Sequence, residues 1–176
     1  GISGFCWGRK SNEMIYLKGT SIFVFDIKNL SEKEIHKSKR RMRSPILSPD
    51  GSFLCYLQDG NIWMYDFEAD TDSPITEFDP RKERIGRLSL SPDSQRMAFF
   101  YQDYAGVRQV DIPRFDREKV SLQKVSRPFP GDPNNTRKIG ILDIPQKKIR
   151  WVPLEFGSLR SFSWSPSGKK LLIEES

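Results

Sequence analysis

The 176-residue sequence predicts an all-β fold of the propeller kind, in which short strands form repeated units stacked face to face about an axis. Three observations carry that prediction. First, an anchor recurs as Ser48-Pro49-Asp50-Gly51, Ser91-Pro92-Asp93-Ser94 and Ser165-Pro166-Ser167-Gly168, each followed by an apolar run: FLCYL from Phe53, RMAFFY from Arg96 and KLLIEE from Lys170. Second, three copies add another run ending in Asp and an apolar residue: SIFVFDI to Ile27, NIWMYDF to Phe67 and KIGILDI to Ile144. Third, these runs have few polar interruptions, so both faces of each strand are expected to be covered. A helical solenoid of similar period is excluded, because no unit holds apolar residues at i, i+3, i+4 and i+7 over sufficient length.

The elements follow in order. A degenerate first copy, FCWGRKSNEMIYL from Phe5, overlays FSWSPSGKKLLIE from Phe162 without a gap. Asp26 lies 18 residues after Gly8 and Asp66 lies 18 after Ser48, whereas Asp143 lies 52 after Ser91. The unit is therefore about 40 residues, a length matching several strands per blade, and the third copy carries 34 extra. Pro-Asp-Gly supplies a fixed φ, a side chain that bonds its own backbone and a residue free to take positive φ, which suits a tight reversal between strands. The expected repeats span about 2–43, 44–86, 87–157 with an arm at 102–137, and an incomplete 158–176. That makes a single partial propeller region of about three and a half blades, and a piece of a larger ring is expected over a closed four-blade one. An insertion this long, with apolar and Pro-rich content of its own, should pack on something. Val107, Val110, Ile112, Phe115, Val120, Leu122, Val125 and Phe129 are its candidate contacts, and whether it meets a partner or its own blade stays open.

Charge is concentrated in one place. Against 23 acids the chain has 29 Lys and Arg, a net +6, and five of those cations (Lys37, Lys39, Arg40, Arg41 and Arg43) fall between His36 and Arg43. Lys39, Arg40, Arg41 and Arg43 form a candidate patch for phosphate, an acidic partner or nucleic acid. No aromatic residue interleaves with them, and they lie in the link between Asp26 and the next anchor, so a solvated connection is the stronger reading and nucleic acid is not expected.

Several chemistries are missing. No GxSxG elbow occurs and His36 is the single histidine, so no catalytic triad is expected in this chain. One histidine and the separated Cys6 and Cys55 do not make a zinc site, and the cysteines read as buried free thiols, with a single disulfide the weaker alternative. DFEADTD from Asp66 lacks the Gly and closing Glu of an EF-hand loop, and GDPNN from Gly131 reads as a turn rather than a phosphate loop. No cofactor is expected. No apolar stretch approaches the roughly 18 residues that would span a bilayer.

The anchors and YD or LD runs resemble the WD-repeat-like propellers of the prolyl oligopeptidase family and of TolB-like periplasmic proteins. In the third copy, MAFFYQDYAGVRQVDI from Met97 resembles a family segment in which a strand runs into an extended arm. RPFPGDPNNTRKIGILD, from Arg127 to Asp143, resembles the Tyr-Pro-Lys-Ala-Gly-x-x-Asn-Pro motif and following strand of the dipeptidyl peptidase IV propeller, with Pro128, Gly131, Asn134, Gly140 and Asp143 in matching positions. The resemblance implies a non-catalytic N-terminal propeller that caps an α/β-hydrolase domain and filters its peptide substrates. It also implies an arm that contributes to homodimerisation, for which Val107, Phe115, Arg127, Pro128, Phe129 and Asn134 are the candidate residues, and a periplasmic or cell-envelope location. One departure stands out: the adjacent glutamates with which family enzymes hold the substrate ammonium belong between Asp66 and Ser91, and no Glu-Glu occurs there. Glu68, Asp70 and Asp72 read instead as a solvated acidic turn. The alternative function is a stand-alone or accessory TolB-like propeller for protein–protein binding.

Overall fold

In the computed structural model, residues 1–107, 109–114, 121–126, 136–155 and 159–175 are described. They contain strands and turns but no helix, so no helix long and apolar enough to cross a membrane occurs among them. The first sheet runs β1 (Ile2–Trp7), β2 (Glu13–Lys18), β3 (Ser21–Asp26) and β4 (Ser31–Lys37), and the second runs β5 (Arg43–Leu47), β6 (Phe53–Gln58), β7 (Asn61–Asp66) and β8 (Thr71–Pro74). The third begins with β9 (Glu83–Leu90) and β10 (Arg96–Asp103). The chain then departs through a separate hairpin, β11 (Gln109–Arg114) and β12 (Ser121–Ser126), and returns as β13 (Thr136–Asp143) and β14 (Lys148–Pro153). Because β13 pairs with β10, the third sheet keeps the order β9-β10-β13-β14 despite the interruption. A two-stranded sheet, β15 (Leu159–Trp164) and β16 (Leu171–Glu175), follows, and every pairing is antiparallel. The leading strands meet in series, β1 with β5, β5 with β9 and β9 with β15, which is the propeller arrangement.

Each anchor closes the same local network. Ser48 Oγ accepts the Phe53 N–H at 3.0 Å, Ser91 Oγ that of Arg96 at 2.9 Å, and Ser165 Oγ that of Lys170 at 3.1 Å. The fourth residue donates its N–H to the anchor serine's carbonyl: Gly51 at 2.8 Å, Ser94 at 2.9 Å and Gly168 at 2.8 Å. That geometry needs positive φ, which Gly51 (72°) and Gly168 (68°) adopt freely and Ser94 (59°) adopts as a non-glycine. The first copy keeps the outer bond, Gly8 N–H to Glu13 C=O at 2.8 Å, without the serine hydroxyl, which explains why it is hard to see in the sequence. The repeated Asp also has a local task. Asp26 Oδ1 accepts the Lys28 N–H at 2.8 Å, Asp66 Oδ1 that of Glu68 at 2.8 Å, and Asp143 Oδ1 that of Gln146 at 2.9 Å, closing the turn into the outermost strand.

The core lies between sheets. Along β6, Leu54 and Tyr56 face the first sheet and join Ile15, Leu17, Ile22 and Met42. The alternating Cys55 and Leu57 face the third sheet and join Met97, Phe99, Leu142 and Ile144. This is the period of two expected of a strand covered on both faces. Burying such side chains supplies about 1.5–3 kcal/mol each, and no sheet could do so alone. Both thiols are free, Cys55 fully buried and Cys6 partly so; burial pushes both upward in pKa, Cys6 to about 11. Gly140 is set by packing rather than by φ: it pairs with Phe99 across β10 and β13, and a Cβ there would stand 2.2 Å from Phe99 Cζ.

Candidate functional site

The most distinctive region is the end of the third sheet from which the arm leaves. β10 and β13 pair without interruption from Arg96 and Asp143 to Asp103 and Thr136. Beyond Asp103 the chain turns, with the Ala105 N–H on Asp103 Oδ1 at 2.8 Å and the Val107 N–H on Tyr104 C=O at 3.0 Å. The β11–β12 hairpin keeps its register from Gln109 and Ser126 to Arg114 and Ser121, and among the described residues it pairs with no other sheet. Its side chains include Ile112, 39% exposed, and Leu122, 67% exposed. A two-stranded hairpin is marginal on its own in water, so apolar groups on this one are available for further burial.

Of the candidate arm residues, Val107 is only 6% exposed and belongs to the turn that starts the arm, not to its outer surface. Phe115, Arg127, Pro128, Phe129 and Asn134, together with Val120 and Gly131, lie outside the described residues. At the base of the arm stands an aromatic cluster. Tyr101 lies 4.6 Å from Trp151 and 5.5 Å from Phe78 between ring centroids, and Phe99 lies 5.9 Å from both Phe78 and Trp151. Tyr101 OH donates to Glu83 Oε1 at 2.6 Å. Burial, then the Glu83 carboxylate, raise the Tyr101 pKa, which keeps this phenol a donor.

The basic run is a pinned connection. Lys39, Arg40, Arg41 and Arg43 are exposed, while Met42 between them is 1% exposed and fills the first core. The Ser3 hydroxyl donates to Met42 C=O at 2.6 Å, and Ser38 donates its N–H to Thr20 C=O and its Oγ to Gln58 Oε1, each at 2.8 Å. Arg40 Nε lies 3.3 Å from Asp59 Oδ2 at the surface, a pair worth about 0–1 kcal/mol. The cations do not converge: Arg40 turns to Asp59, whereas Arg43 lines a cleft toward the third sheet.

In the acidic segment Glu68 and Asp70 lie in an exposed turn, as expected, whereas Asp72 lies in β8 and is half-buried. Asp70 Oδ1 accepts the Tyr65 hydroxyl at 2.7 Å, and Asp72 Oδ2 accepts that of Tyr56 at 2.6 Å while lying 3.2 Å from His36 Nε2. His36 also packs on the Tyr65 ring at 4.6 Å, so these groups tie the first sheet to the second. Tyr16 and Glu32 repeat the arrangement inside the first sheet. The signal was present in the sequence: Tyr16 and Tyr56 each stand eight residues after the anchor position and sixteen before the acid they meet. Their partners follow only from the strand register. The one histidine of the sequence lies at this seam, and the described residues contain no group of three or more His, Cys, Asp or Glu that could hold a metal ion.

The comparisons agree with this architecture. A family model for the dipeptidyl peptidase IV (DPP IV) N-terminal region matches residues 16–176. Dipeptidyl peptidase 4 from Porphyromonas gingivalis superposes with a TM-score of 0.75 at 16% identity, over 98% of this chain and 29% of that one. A protein from Bacteroides ovatus ATCC 8483, described as a dipeptidyl aminopeptidase IV, superposes with a TM-score of 0.67 at 18% identity, over 92% of this chain and 24% of that one. The chain thus spans less than a third of the length of either structure, and no curated protein matches it. The residues matched by the family model extend from the second strand to the last, and the chain belongs to the dipeptidyl peptidase IV N-terminal region family.

Proposed function

We propose that this chain is the non-catalytic propeller portion of a serine dipeptidyl peptidase, governing the access of peptides to a neighbouring α/β-hydrolase domain and joining two copies through its arm. The observation that carries this reading is the β11–β12 hairpin, set into the third sheet of a chain of this family and, among the described residues, standing apart from the other sheets in its pairing. Family membership supports the hydrolase partner, and the missing GxSxG elbow supports a role without chemistry of its own. The absent glutamate pair implies a weaker demand for a free substrate amine than in family enzymes that carry one.

Deleting residues 108–135 from the full-length protein and bridging Val107 to Thr136 with a short Gly-Ser linker tests the arm. Light scattering should show a dimer reduced to a monomer with the far-ultraviolet spectrum kept; an unchanged dimer, or a wild-type monomer, overturns the arm's role. Cleavage of Xaa-Pro chromogenic substrates by the full-length protein tests the peptidase reading. A well-folded protein with no such activity would favour an accessory protein-binding propeller.

A further inference from the structure

We infer that the cleft between the second and third sheets, at the end from which the arm leaves, binds a small carboxylate ligand with an apolar body. The cleft has a volume of about 490 Å³, within the range of about 300–1,000 Å³ usual for small-molecule sites. Arg43, at the start of β5, and Arg84, in β9, line it from its two sides. Both are exposed, and neither has a carboxylate partner among the described residues. Pro80 supplies apolar lining, and the third sheet adds the core residue Ile85 from one of its faces and the half-buried Phe100 from the other.

Three details make this more than two surface arginines. The Arg84 guanidinium sits 4.8 Å from the centroid of the Tyr104 ring, a stacking contact that restricts its rotamers while leaving its forked donors open. Glu83, the one carboxylate of the lining, is engaged at both oxygens, by Tyr101 OH at 2.6 Å and by the Asp79 N–H at 2.7 Å. Two guanidiniums therefore face one committed acid, which leaves a net positive charge. Tyr104 OH donates to Gln102 Oε1 at 3.1 Å, which fixes that amide and leaves its Nε2 as a further donor.

Glycine keeps the space open. A Cβ on Gly86 would meet nothing within 4 Å, so any side chain there would enter the cleft that Gly86 lines. Gly60 turns at φ 79°, and a Cβ on it would lie 2.7 Å from Pro80 Cβ, so this glycine lets Pro80 close one wall. Paired arginines match a carboxylate in fork geometry better than a point cation does, and the apolar lining selects against a bare inorganic anion. Because the guanidiniums are solvated, affinity should be modest, on the order of 0.1–1 mM, and should fall as salt rises. The site goes beyond the role proposed for the arm and does not depend on it.

Calorimetry on the full-length protein tests the inference with three probes: acetyl-Leu-Asp amide, its neutral partner acetyl-Leu-Asn amide, and acetyl-Leu-Ala with a free C-terminus. Saturable binding is expected for at least one of the two carboxylate probes, and the tighter of them identifies a side-chain or a terminal carboxylate as the source. The neutral amide should bind at least tenfold more weakly, and Arg43→Ala and Arg84→Ala should each weaken the carboxylate probe about tenfold. Gly86→Leu should abolish binding by filling the cleft; if that variant fails to fold, the arginine variants decide. No saturable binding by either carboxylate probe, equal binding of the neutral amide, or unchanged binding in the arginine variants overturns it.

Discussion

Gly140→Ala should destabilise the protein, whereas Gly86→Ala should not, although both glycines lie in strands of the same sheet. Neither adopts a positive φ, so alanine at either site lowers the entropy of the unfolded chain and favours folding by about 0.5–1 kcal/mol. At Gly86 nothing opposes that gain, because the new methyl meets open space. At Gly140 the methyl would stand 2.2 Å from Phe99 Cζ and 2.6 Å from both Cε atoms. Phe99 is fully buried between the second and third sheets, so its ring cannot retreat without disturbing that core. Overpacking of this kind costs about 1–3 kcal/mol, and a chain of this size loses about 2–4 °C per kcal/mol. Set against the entropy gain, the net cost at Gly140 is up to about 2.5 kcal/mol, so the expected result is a fall of up to about 10 °C in Tm for Gly140→Ala and a small rise for Gly86→Ala, read by circular dichroism melts. Phe99→Leu shortens the obstructing ring, so the added cost of Gly140→Ala in that background should drop by at least half. Equal shifts for the two alanine variants, or strict additivity with Phe99→Leu, would refute the packing argument.

Two further expectations concern pH. The Ser48 hydroxyl and then the Ser52 N–H hold Asp50 at about 2, and the Ser91 hydroxyl and then the Gln95 N–H lower Asp93 in the same way. Since the unfolded value is about 3.9, both carboxylates stabilise the fold above about pH 4 and lose that contribution as pH falls below it, Asp50 through about 2. Urea midpoints should decline over that window, and Asp50→Asn with Asp93→Asn should flatten the decline; parallel curves for wild type and variant would count against it. At the other extreme, burial and then Glu32 push Tyr16 up to about 12, and burial and then Asp70 do the same for Tyr65. Their neutral forms stabilise the fold below about pH 10, and that contribution is lost as pH rises toward 12. Tyrosinate absorbance should therefore appear late and together with unfolding, while early titration of every tyrosine would contradict the buried phenol–carboxylate bonds.

What the sequence revealed tracks the distance over which each feature is encoded. The anchor serine reaches an N–H five residues on, and the repeated Asp reaches one two or three residues on, so both leave a local spelling that recurs with each sheet. Strand runs and turns were legible for that reason. Asp72 departs from the reading of a solvated turn because its partner Tyr56 lies two strands away, and only the register of β6, β7 and β8 brings the two together. His36 stands beside the basic run, yet the register shift that leaves Ile35 unpaired in β4 lets Ile35 and His36 both turn inward, His36 to Asp72, while Lys37 stays exposed.

The same logic explains why the cleft was invisible in a linear reading. Arg43 stands five residues before the anchor Ser48, and Gly86 stands five residues before the anchor Ser91. In a stack of repeats, positions one period apart fall at matching places on adjacent sheets, so Arg43 and Gly86 are counterparts. One carries the longest cationic side chain and the other none. Read along the chain, Arg43 ends a charged linker and Gly86 is a gap in an apolar strand. Read across the repeat, a guanidinium on one sheet stands beside a vacancy on the next, with Arg84 on the same strand as the vacancy. A charge cluster in a repeat protein is therefore better judged by what occupies its position one period away than by its neighbours in sequence, and by that measure Arg43 is the member of the basic run with a site to serve.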